Sequence, residues 1–232
     1  MNEGDRIVPA PWRLTGQGYV IALSCSQAFG AACGADTPGL AGRACGGLGA
    51  LMLIDYAGSD VGPYRELLLC PGVFDFGDRR AAAITHIWVS SDASVVNGRH
   101  NWGLPKERAD FETLARTDRA ERCRIQRPGR APITLHLSRR GPKLPLHSAI
   151  LPRAWRTLEQ PWRGRRYRTC IRARARARLA RLEAHDIPPD SGFPDITGQT
   201  PRLGLHADRF DLVFPTAQRQ PRDSDGPGPR TR

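Results

Sequence analysis

The chain has 232 residues, of which 40% are hydrophobic and 25% charged, and this composition predicts one medium-sized globular domain. No segment approaches the roughly 18 consecutive apolar residues of a membrane-spanning helix, and the N-terminus lacks the basic-then-apolar pattern of a secretory signal. We therefore expect a soluble cytoplasmic protein with no membrane partner. The six cysteines contain no C-x-x-C pair and the six histidines no H-E-x-x-H motif, so reduced thiols, no metal and no cofactor are expected.

The first predicted elements are strands. Trp12 to Leu23 is strand-like, whereas the Gly/Ala-rich sequence from Gln27 to Gly49 predicts a short helix with loops. Leu48 to Tyr56 and Arg65 to Leu69 are apolar runs of strand length separated by a Gly/Pro turn segment, which predicts a strand pair. Ile84 to Ser90 alternates β-branched and aromatic residues and is also predicted as a strand.

A short helix is predicted next. Ser91 or Asp92 is a suitable N-cap, and the helix is expected to continue to Asn97 and to end at Gly98. Further strands are predicted at Ala109 to Leu114, Ile133 to Ser138, Arg166 to Leu182, Arg202 to His206 and Phe210 to Phe214. Many short strands punctuated by Gly and Pro predict a mainly β (α+β) fold, an antiparallel barrel or sandwich with a few short helices.

The domain boundaries follow from composition. Residues 1–10 are polar and predicted to be loose, residues 11–215 form the single domain, and residues 216–232 lack any apolar period. Such a segment buries too little surface to offset its ordering entropy, so this C-terminal part is predicted to be a disordered tail.

The formal charge of +12 is uneven. Met1 to Asp118 carries ten Lys/Arg and thirteen Asp/Glu, whereas Arg119 to Arg232 carries twenty-five and ten. Within the basic half, the segment Arg172 to Arg178 alternates arginine with alanine, which in a strand puts every arginine on one face. We expect a solvated outer face, because no aromatic stacking residues are interleaved; a helix and a phosphate-contacting ladder are the alternatives.

Lys106 is the most informative residue for function. Only Lys106 and Lys143 are lysines among the 35 basic residues, and arginine cannot replace an amine nucleophile because it keeps its proton. Pro105 restricts the backbone before Lys106, and Trp102 and Leu104 could form apolar walls. Burial there would favour a neutral amine near pH 7, which can attack a ketone to form an iminium. A surface lysine beside a turn is the alternative interpretation.

Three blocks of sequence resemble the acetoacetate decarboxylase family, in matching order and spacing from Pro11 to about Pro215. The blocks are Pro11-Trp12-Arg13-Leu14-x-Gly16-x-Gly18-Tyr19, Gly62-Pro63-Tyr64-Arg65-Glu66-Leu67 and Gly98-Arg99-x-x-x-Gly103-Leu104-Pro105-Lys106. The resemblance implies the family's single-domain antiparallel β-barrel or cone, a Schiff-base role for Lys106, an active-site carboxylate at Glu66 and a homo-oligomer. Acetoacetate decarboxylase is itself a standard example of an enzyme with an activated lysine, so the imine mechanism is implied by the resemblance.

The remaining site residues come from the same blocks. Tyr64, Arg99 and Trp102 are expected to contact substrate, and Gln17 aligns with an active-site arginine of the family. The family's second lysine is replaced by Glu107, whose side chain is expected to point away from Lys106 because adjacent strand residues face opposite sides.

Three functions are compared. The first is a Schiff-base lyase, of decarboxylase or aldolase-dehydratase type, acting on a small oxo acid or ketone through Lys106 with Glu66 handling protons. The second is a non-catalytic small-molecule-binding or accessory protein with the same fold. The third, nucleic-acid binding through the Arg172–Arg178 stripe, would show a steep salt dependence; it ranks last, and no nucleic-acid partner is expected. His86 and Trp88 are assigned to packing, and Asp92 and Ser94 to helix capping.

Overall fold

The computed structural model describes residues 6–221. Within that range there are two α-helices, α1 (Gln27–Gly34) and α2 (Asp92–Trp102). The strands are β1 (Trp12–Cys25), β2 (Ala44–Gly58), β3 (Tyr64–Cys70), β4 (Val73–Asp75), β5 (Arg80–Ala82), β6 (His86–Val89), β7 (Lys106–Arg108), β8 (Asp110–Arg116), β9 (Ala120–Gln126), β10 (Ile133–His147), β11 (Thr157–Trp162), β12 (Arg165–Cys170), β13 (Arg172–Asp186), β14 (Thr200–Phe214) and β15 (Gln218–Pro221). The predicted mainly β fold with a few short helices is confirmed.

The strands form one long, mostly antiparallel sheet in the order β15-β12-β11-β5-β4-β2-β1-β14-β13-β10-β9-β8. A side branch runs β2-β3-β6-β7, in which β7 pairs with β6 in parallel. The predicted pair of strands before and after the Gly/Pro turn is the β2-β3 hairpin, in register from Tyr56 with Tyr64 to Ala50 with Cys70.

The predicted barrel is not closed in the part of the chain that the structure describes. The main path of the sheet ends at β15 and at β8, the side branch ends at β7, and no ladder among the described residues joins these edges. Side chains cross the gap instead. Arg65 on β3 donates to Thr113 Oγ1 on β8 at 3.1 Å and lies 5.6 Å from the ring centroid of Phe111.

Two hydrophobic clusters occupy the two sides of the β1-β2-β3 region. One is built from alternate residues such as Tyr19, Leu53 and Leu67, all at most 5% exposed. The other includes Tyr56 and Tyr64 and is covered by α2 and by β11 and β12. Because successive strand residues face opposite sides, each strand contributes to both clusters, and functional side chains are divided between them.

The helix α2 is longer than predicted. Ser91 is its N-cap, with its hydroxyl accepting from the backbone N–H of Ser94, and Gly103 ends it in the left-handed conformation at φ 64°. Gly98, the predicted end, lies inside the helix on its buried face. The helix continues past Gly98 because its buried side packs on β7, which offsets the low helix propensity of glycine.

Both ends of the described chain contact the rest of the fold. Near the N-terminus, Asn97 and Asn101 of α2 bind the backbone of Val8, at 2.7 Å and 2.9 Å respectively. At the C-terminus, Gln218–Pro221 forms β15 and pairs with β12, so order extends beyond residue 215. The rest of the predicted tail, residues 222–232, and residues 1–5 lie outside the described residues.

The Arg172–Arg178 stripe lies on β13. Arg172, Arg174 and Arg176 are exposed, so the strand interpretation is confirmed for these three. Arg178 is only partly exposed and pairs with Asp208 at 2.8 Å, because the register shifts between Arg176 and Ala177. Neither α1 nor α2 is long and apolar enough to cross a bilayer, and the same holds for every helical segment of the described chain.

Candidate active site

Lys106 is placed by the end of α2 and the start of β7. Gly103 ends the helix, Pro105 follows, and Lys106 then pairs with Ile87 in the parallel ladder between β6 and β7. The residue is 3% exposed. The chain therefore buries the lysine that the sequence singled out, on the side of the sheet covered by α2.

The ammonium group of Lys106 has three hydrogen-bond acceptors. Its Nζ donates to Glu66 Oε2 at 2.8 Å, to Ser94 Oγ at 2.9 Å and to Tyr64 Oη at 3.4 Å. It also lies 5.0 Å from the centroid of the Tyr64 ring. A protonated lysine has three N–H donors, so this cage satisfies the charged form completely.

Glu66 is brought to Lys106 by strand register. Glu66 pairs with Val89 of β6, and Lys106 pairs with Ile87 of the same strand. Ile87 and Val89 face the same side of β6. The side chains of Glu66 and Lys106 therefore extend across β6 from its two neighbouring strands and meet. Glu66 is 3% exposed, and its second oxygen, Oε1, accepts from the hydroxyl of Tyr56 at 3.2 Å.

The protonation state differs from the sequence expectation. Burial pushes the pKa of Lys106 down, but the charge of Glu66 beside it, together with Tyr64, pushes the pKa further up, and the result lies above the ordinary lysine value. The raised pKa favours the ammonium form of Lys106 in this arrangement, whereas the sequence predicted a neutral amine. An opposite charge within hydrogen-bond distance outweighs desolvation here.

The two tyrosines beside the ion pair keep their protons. Burial raises the pKa of Tyr64 to about 12, although the nearby Lys106 charge opposes this. Burial and the adjacent Glu66 carboxylate hold the pKa of Tyr56 well above its usual value. Both phenols are thus hydrogen-bond donors at neutral pH, and their rings lie 4.6 Å apart.

Ser94 and Tyr56 are site residues that the sequence analysis missed. The sequence pattern assigns Ser94 to capping, but Ser91 is the cap, and Ser94 is fully buried with its hydroxyl on Lys106. Its spacing from Asn97, Gly98 and Asn101 follows the i, i+3, i+4, i+7 pattern of one helix face, which is the signal that could have identified it. Tyr56 could have been found from its position opposite Tyr64 across the predicted hairpin.

Trp102 and Arg99 are near the site but have other contacts. Trp102 packs edge-on against Trp12 and Phe214, and its Nε1 donates to the carbonyl of Pro215 at 2.7 Å. The guanidinium of Arg99 lies 5.8 Å from the ring centroid of Trp162. Gly98, not Arg99, faces Lys106, because successive residues are turned by about 100° around a helix.

Gln17 lies on the opposite side of the sheet. It pairs with Asp55, and Asp55 pairs with Arg65, whereas Tyr56 pairs with Tyr64 on the side of Lys106. Gln17 lines a small cavity of about 10 Å³ together with Arg65, Arg116 and Glu121. The structure thus does not bring Gln17 together with Lys106 and Glu66.

A second buried charged network surrounds this cavity. Glu121 binds Arg116 at 2.7 Å, Arg65 at 3.4 Å and Arg139 at 3.8 Å. Arg139 in turn donates to the hydroxyl of Tyr19 at 2.6 Å. These contacts tie β3, β8, β9 and β10 together.

Glu107, which replaces the family's second lysine, lies away from the amine of Lys106. Glu107 pairs with Trp88 in the ladder and accepts from Arg127 at 3.0 Å, so its side chain faces away from Lys106 as predicted. His86 and Trp88 pack against Phe193, also as predicted. Among residues 6–221, no three His, Cys, Asp or Glu side chains cluster in a way that could hold a metal ion.

The fold and the site define a mainly β protein with a buried lysine-carboxylate pair beside a capped helix. The sequence model of the acetoacetate decarboxylase (ADC) family matches residues 38–176, more than half of the chain. The chain therefore belongs to the acetoacetate decarboxylase family. No curated protein sequence gives a significant match, consistent with a divergent member.

Solved structures share the fold at low identity. An acetoacetate decarboxylase-like enzyme from Sphingomonas wittichii RW1 is 14% identical, with a TM-score of 0.67 over 93% of this chain and 95% of that one. The enduracididine biosynthesis enzyme MppR is 14% identical, with a TM-score of 0.64 over 94% and 90%. Acetoacetate decarboxylase from Legionella pneumophila is 13% identical, with a TM-score of 0.61 over 91% and 88%.

Proposed function

We propose that the protein is a Schiff-base lyase that acts on a small oxo acid or ketone through an iminium at Lys106. The single observation that carries the proposal is the 2.8 Å contact between Lys106 Nζ and Glu66 Oε2, both residues being 3% exposed. Because the buried amine is hydrogen-bonded to a buried carboxylate, that carboxylate can accept the lysine proton directly. Membership of the decarboxylase family supports the same chemistry.

Glu66 is the proposed acceptor of the lysine proton. Transfer from Nζ to Oε2 replaces a buried ion pair by a neutral amine and a neutral acid, and low polarity around the pair favours such neutralisation. The raised pKa of Lys106 means that this transfer is unfavourable at rest. Reaction with a bound carbonyl group would consume the neutral amine as it forms and so draw the transfer forward.

Imine formation then uses the same two groups. The neutral Nζ attacks the substrate carbonyl to form a carbinolamine, the protonated Glu66 gives its proton to the departing hydroxyl, and water leaves with formation of the C=N⁺ bond. With a β-oxo acid, loss of CO₂ sends the electron pair of the broken C–C bond into the iminium to give an enamine. With a simple ketone or α-oxo acid, loss of an α-proton gives the enamine needed for aldol-type chemistry.

Ser94 and Tyr64 are the proposed positioning groups. Both bind Lys106 Nζ in the resting state, and both remain hydrogen-bond partners for the carbinolamine oxygen or the nitrogen. Their fixed positions on α2 and β3 would lower the entropic cost of imine formation.

Borohydride trapping tests the proposal. The protein is incubated separately with acetoacetate, pyruvate and other small oxo acids and ketones, reduced, digested and analysed by peptide mass. Pyruvate belongs in the panel because one MppR structure holds pyruvate and another the condensation product of pyruvate and imidazole 4-carboxaldehyde. We expect irreversible mass addition on the Lys106 peptide and none on Lys143, which is exposed. Absence of any adduct across the panel would remove the enzymatic proposal.

A non-catalytic small-molecule-binding protein with the same fold is the second candidate. The observation that favours it is the complete set of acceptors around the ammonium of Lys106, which stabilises the unreactive form. In that case Lys106→Met would keep ligand affinity, whereas the lyase would lose turnover.

Assembly into a homo-oligomer remains part of the proposal. Ile150, Trp155 and Leu144 expose 71%, 64% and 61% of their surface, and burial of these side chains against a second copy of the chain would remove apolar surface from water. Light scattering coupled to size exclusion measures the subunit number.

A further inference from the structure

A cleft of about 550 Å³ lies at the other end of the sheet, between β5, β11, β12 and β15. Among the described residues, its lining includes four arginines together with hydroxyl and amide groups, and no Asp or Glu. The chemically active lining residues are Arg79, Arg80, Arg153, Arg168, Thr157 and Gln218. Lys106, Glu66 and Ser94 are not among the residues that line it.

The arginines of this cleft differ in how they are held. Arg168 is fixed, because its Nε binds Glu159 at 2.8 Å and Glu159 is fully buried. Within residues 6–221, Arg79 pairs with Asp78 and Arg80 with Asp75, and the side chains of all four are more than 40% exposed. Such surface pairs contribute little and can change partner. Arg153 has no ion-pair partner within residues 6–221.

Positive charge exceeds negative charge around the cleft. Two further arginines border it: Arg156, whose Nη1 reaches the sulfur of Cys170, and Arg166, whose Nη1 binds Asp78 at 2.7 Å. The charged groups in or next to the lining are the arginines Arg79, Arg80, Arg153, Arg156, Arg166 and Arg168 and the carboxylates Asp75, Asp78 and Glu159. For the described part of the chain, these six positive charges against three negative ones leave an excess of three, which favours an anion of more than one charge.

We propose that this cleft binds a small phosphorylated organic molecule. Arginine forks bind phosphate oxygens in pairs, and Arg168 is preorganised by Glu159 while Arg153 is free to accept a new partner. Thr157 and Gln218 provide hydrogen bonds for the organic part. The volume lies in the range of sites for small organic ligands, roughly 300–1,000 Å³, and so exceeds the needs of a bare inorganic ion.

Binding of adenosine 5′-monophosphate, measured by titration calorimetry at low ionic strength, tests the proposal. Adenosine is the neutral control, and inorganic phosphate and citrate test whether a bare ion or a polycarboxylate is enough. We expect saturable binding of the phosphate ester, weaker binding of inorganic phosphate and none of adenosine. Citrate binding as tightly as the phosphate ester, or a single-stranded oligonucleotide binding more tightly than the mononucleotide, would contradict the assignment.

Variants locate the binding. Arg153→Gln removes an exposed side chain that the fold does not use, and the loss of a charge-assisted hydrogen bond should weaken binding about tenfold or more. Arg202→Gln, at an exposed arginine near the far end of β14, makes the same change in charge and should have no such effect. Equal weakening in both variants would show nonspecific attraction and overturn the proposal. The unaltered protein should bind the phosphate ester whether or not it forms a borohydride-trapped adduct with an oxo acid, so this site stands or falls separately from the imine chemistry.

Discussion

Gly98 of α2 lies directly against the side chain of Lys106. A β-carbon built on Gly98 would be 2.5 Å from Cδ and 2.8 Å from Cε of Lys106, closer than carbon atoms approach without displacement. The absence of a side chain at residue 98 is therefore what allows the lysine to lie along the helix with its amine at Glu66.

Gly98→Ala should displace the amine while the fold is kept. The added methyl meets the flexible stem of Lys106 and not backbone atoms, so we expect a small change in thermal unfolding but at least a tenfold loss of borohydride-trapped adduct, since a shift of about 1 Å in a reacting group can cost about a hundredfold in rate. Gly198→Ala is the matched control, because a β-carbon there meets nothing within 4 Å. Equal trapping in the two variants would show that the position of Lys106 does not depend on Gly98.

Lys106 and Glu66 should be strongly coupled in stability. Removing one partner of a buried ion pair leaves an unpaired charge and costs about 3–5 kcal/mol. We expect Lys106→Met and Glu66→Gln each to be destabilised to that extent, and the double variant to be destabilised by much less than the sum, with a coupling of about 1–3 kcal/mol. Urea unfolding of the four proteins measures the cycle; additive effects would contradict a direct pair.

The pH dependence of trapping should report the influence of Glu66. Because the carboxylate raises the pKa of Lys106, the reactive neutral amine increases with pH through a midpoint above the ordinary lysine value. In Glu66→Gln the raising charge is gone while burial remains, so the midpoint should move to lower pH. Glu112→Gln, which removes an exposed carboxylate paired with Arg124, is the control and should leave the midpoint unchanged.

His206 should make the protein less stable in mild acid. Burial, together with the charges of Arg139 and Arg178 and against that of Asp208, lowers the pKa of His206 to about 4; its ring also packs on Tyr19. The unfolded chain, with an ordinary histidine pKa of about 6.5, binds the proton first as pH falls. Stability therefore decreases between about pH 6.5 and pH 4, because the unfolded state binds more protons there.

The measurement is the free energy of unfolding across that pH range. His206→Gln cannot gain the charge, so its pH dependence should be flatter by up to about 3 kcal/mol. His136→Gln, at an exposed residue of β10, should keep the dependence of the unaltered protein. A His206→Gln curve parallel to that of the unaltered protein would contradict this assignment.

Local signals in the sequence were sufficient for much of the fold. The Gly/Pro turn between two apolar runs predicted the β2-β3 hairpin, and the capping residues predicted the start of α2, because turns and caps depend on nearby residues. The end of α2 was missed at Gly98. A glycine inside a helix has the same local signature as one that ends it, and only packing against Lys106 distinguishes the two.

The sequence by itself singled out Lys106 and Glu66 as candidate site residues, through the resemblance of their blocks to the family and because an amine after a restricting proline and an acid beside an apolar run can both carry chemistry. Only the tertiary structure decided that Ser94 and Tyr56 join them, that Gln17 lies on the other side of the sheet, and that the Glu66 carboxylate lies close enough to raise the pKa of Lys106. These outcomes depend on strand register and on distances between residues far apart in the chain. The electrostatic energy of a buried charge changes steeply with such distances.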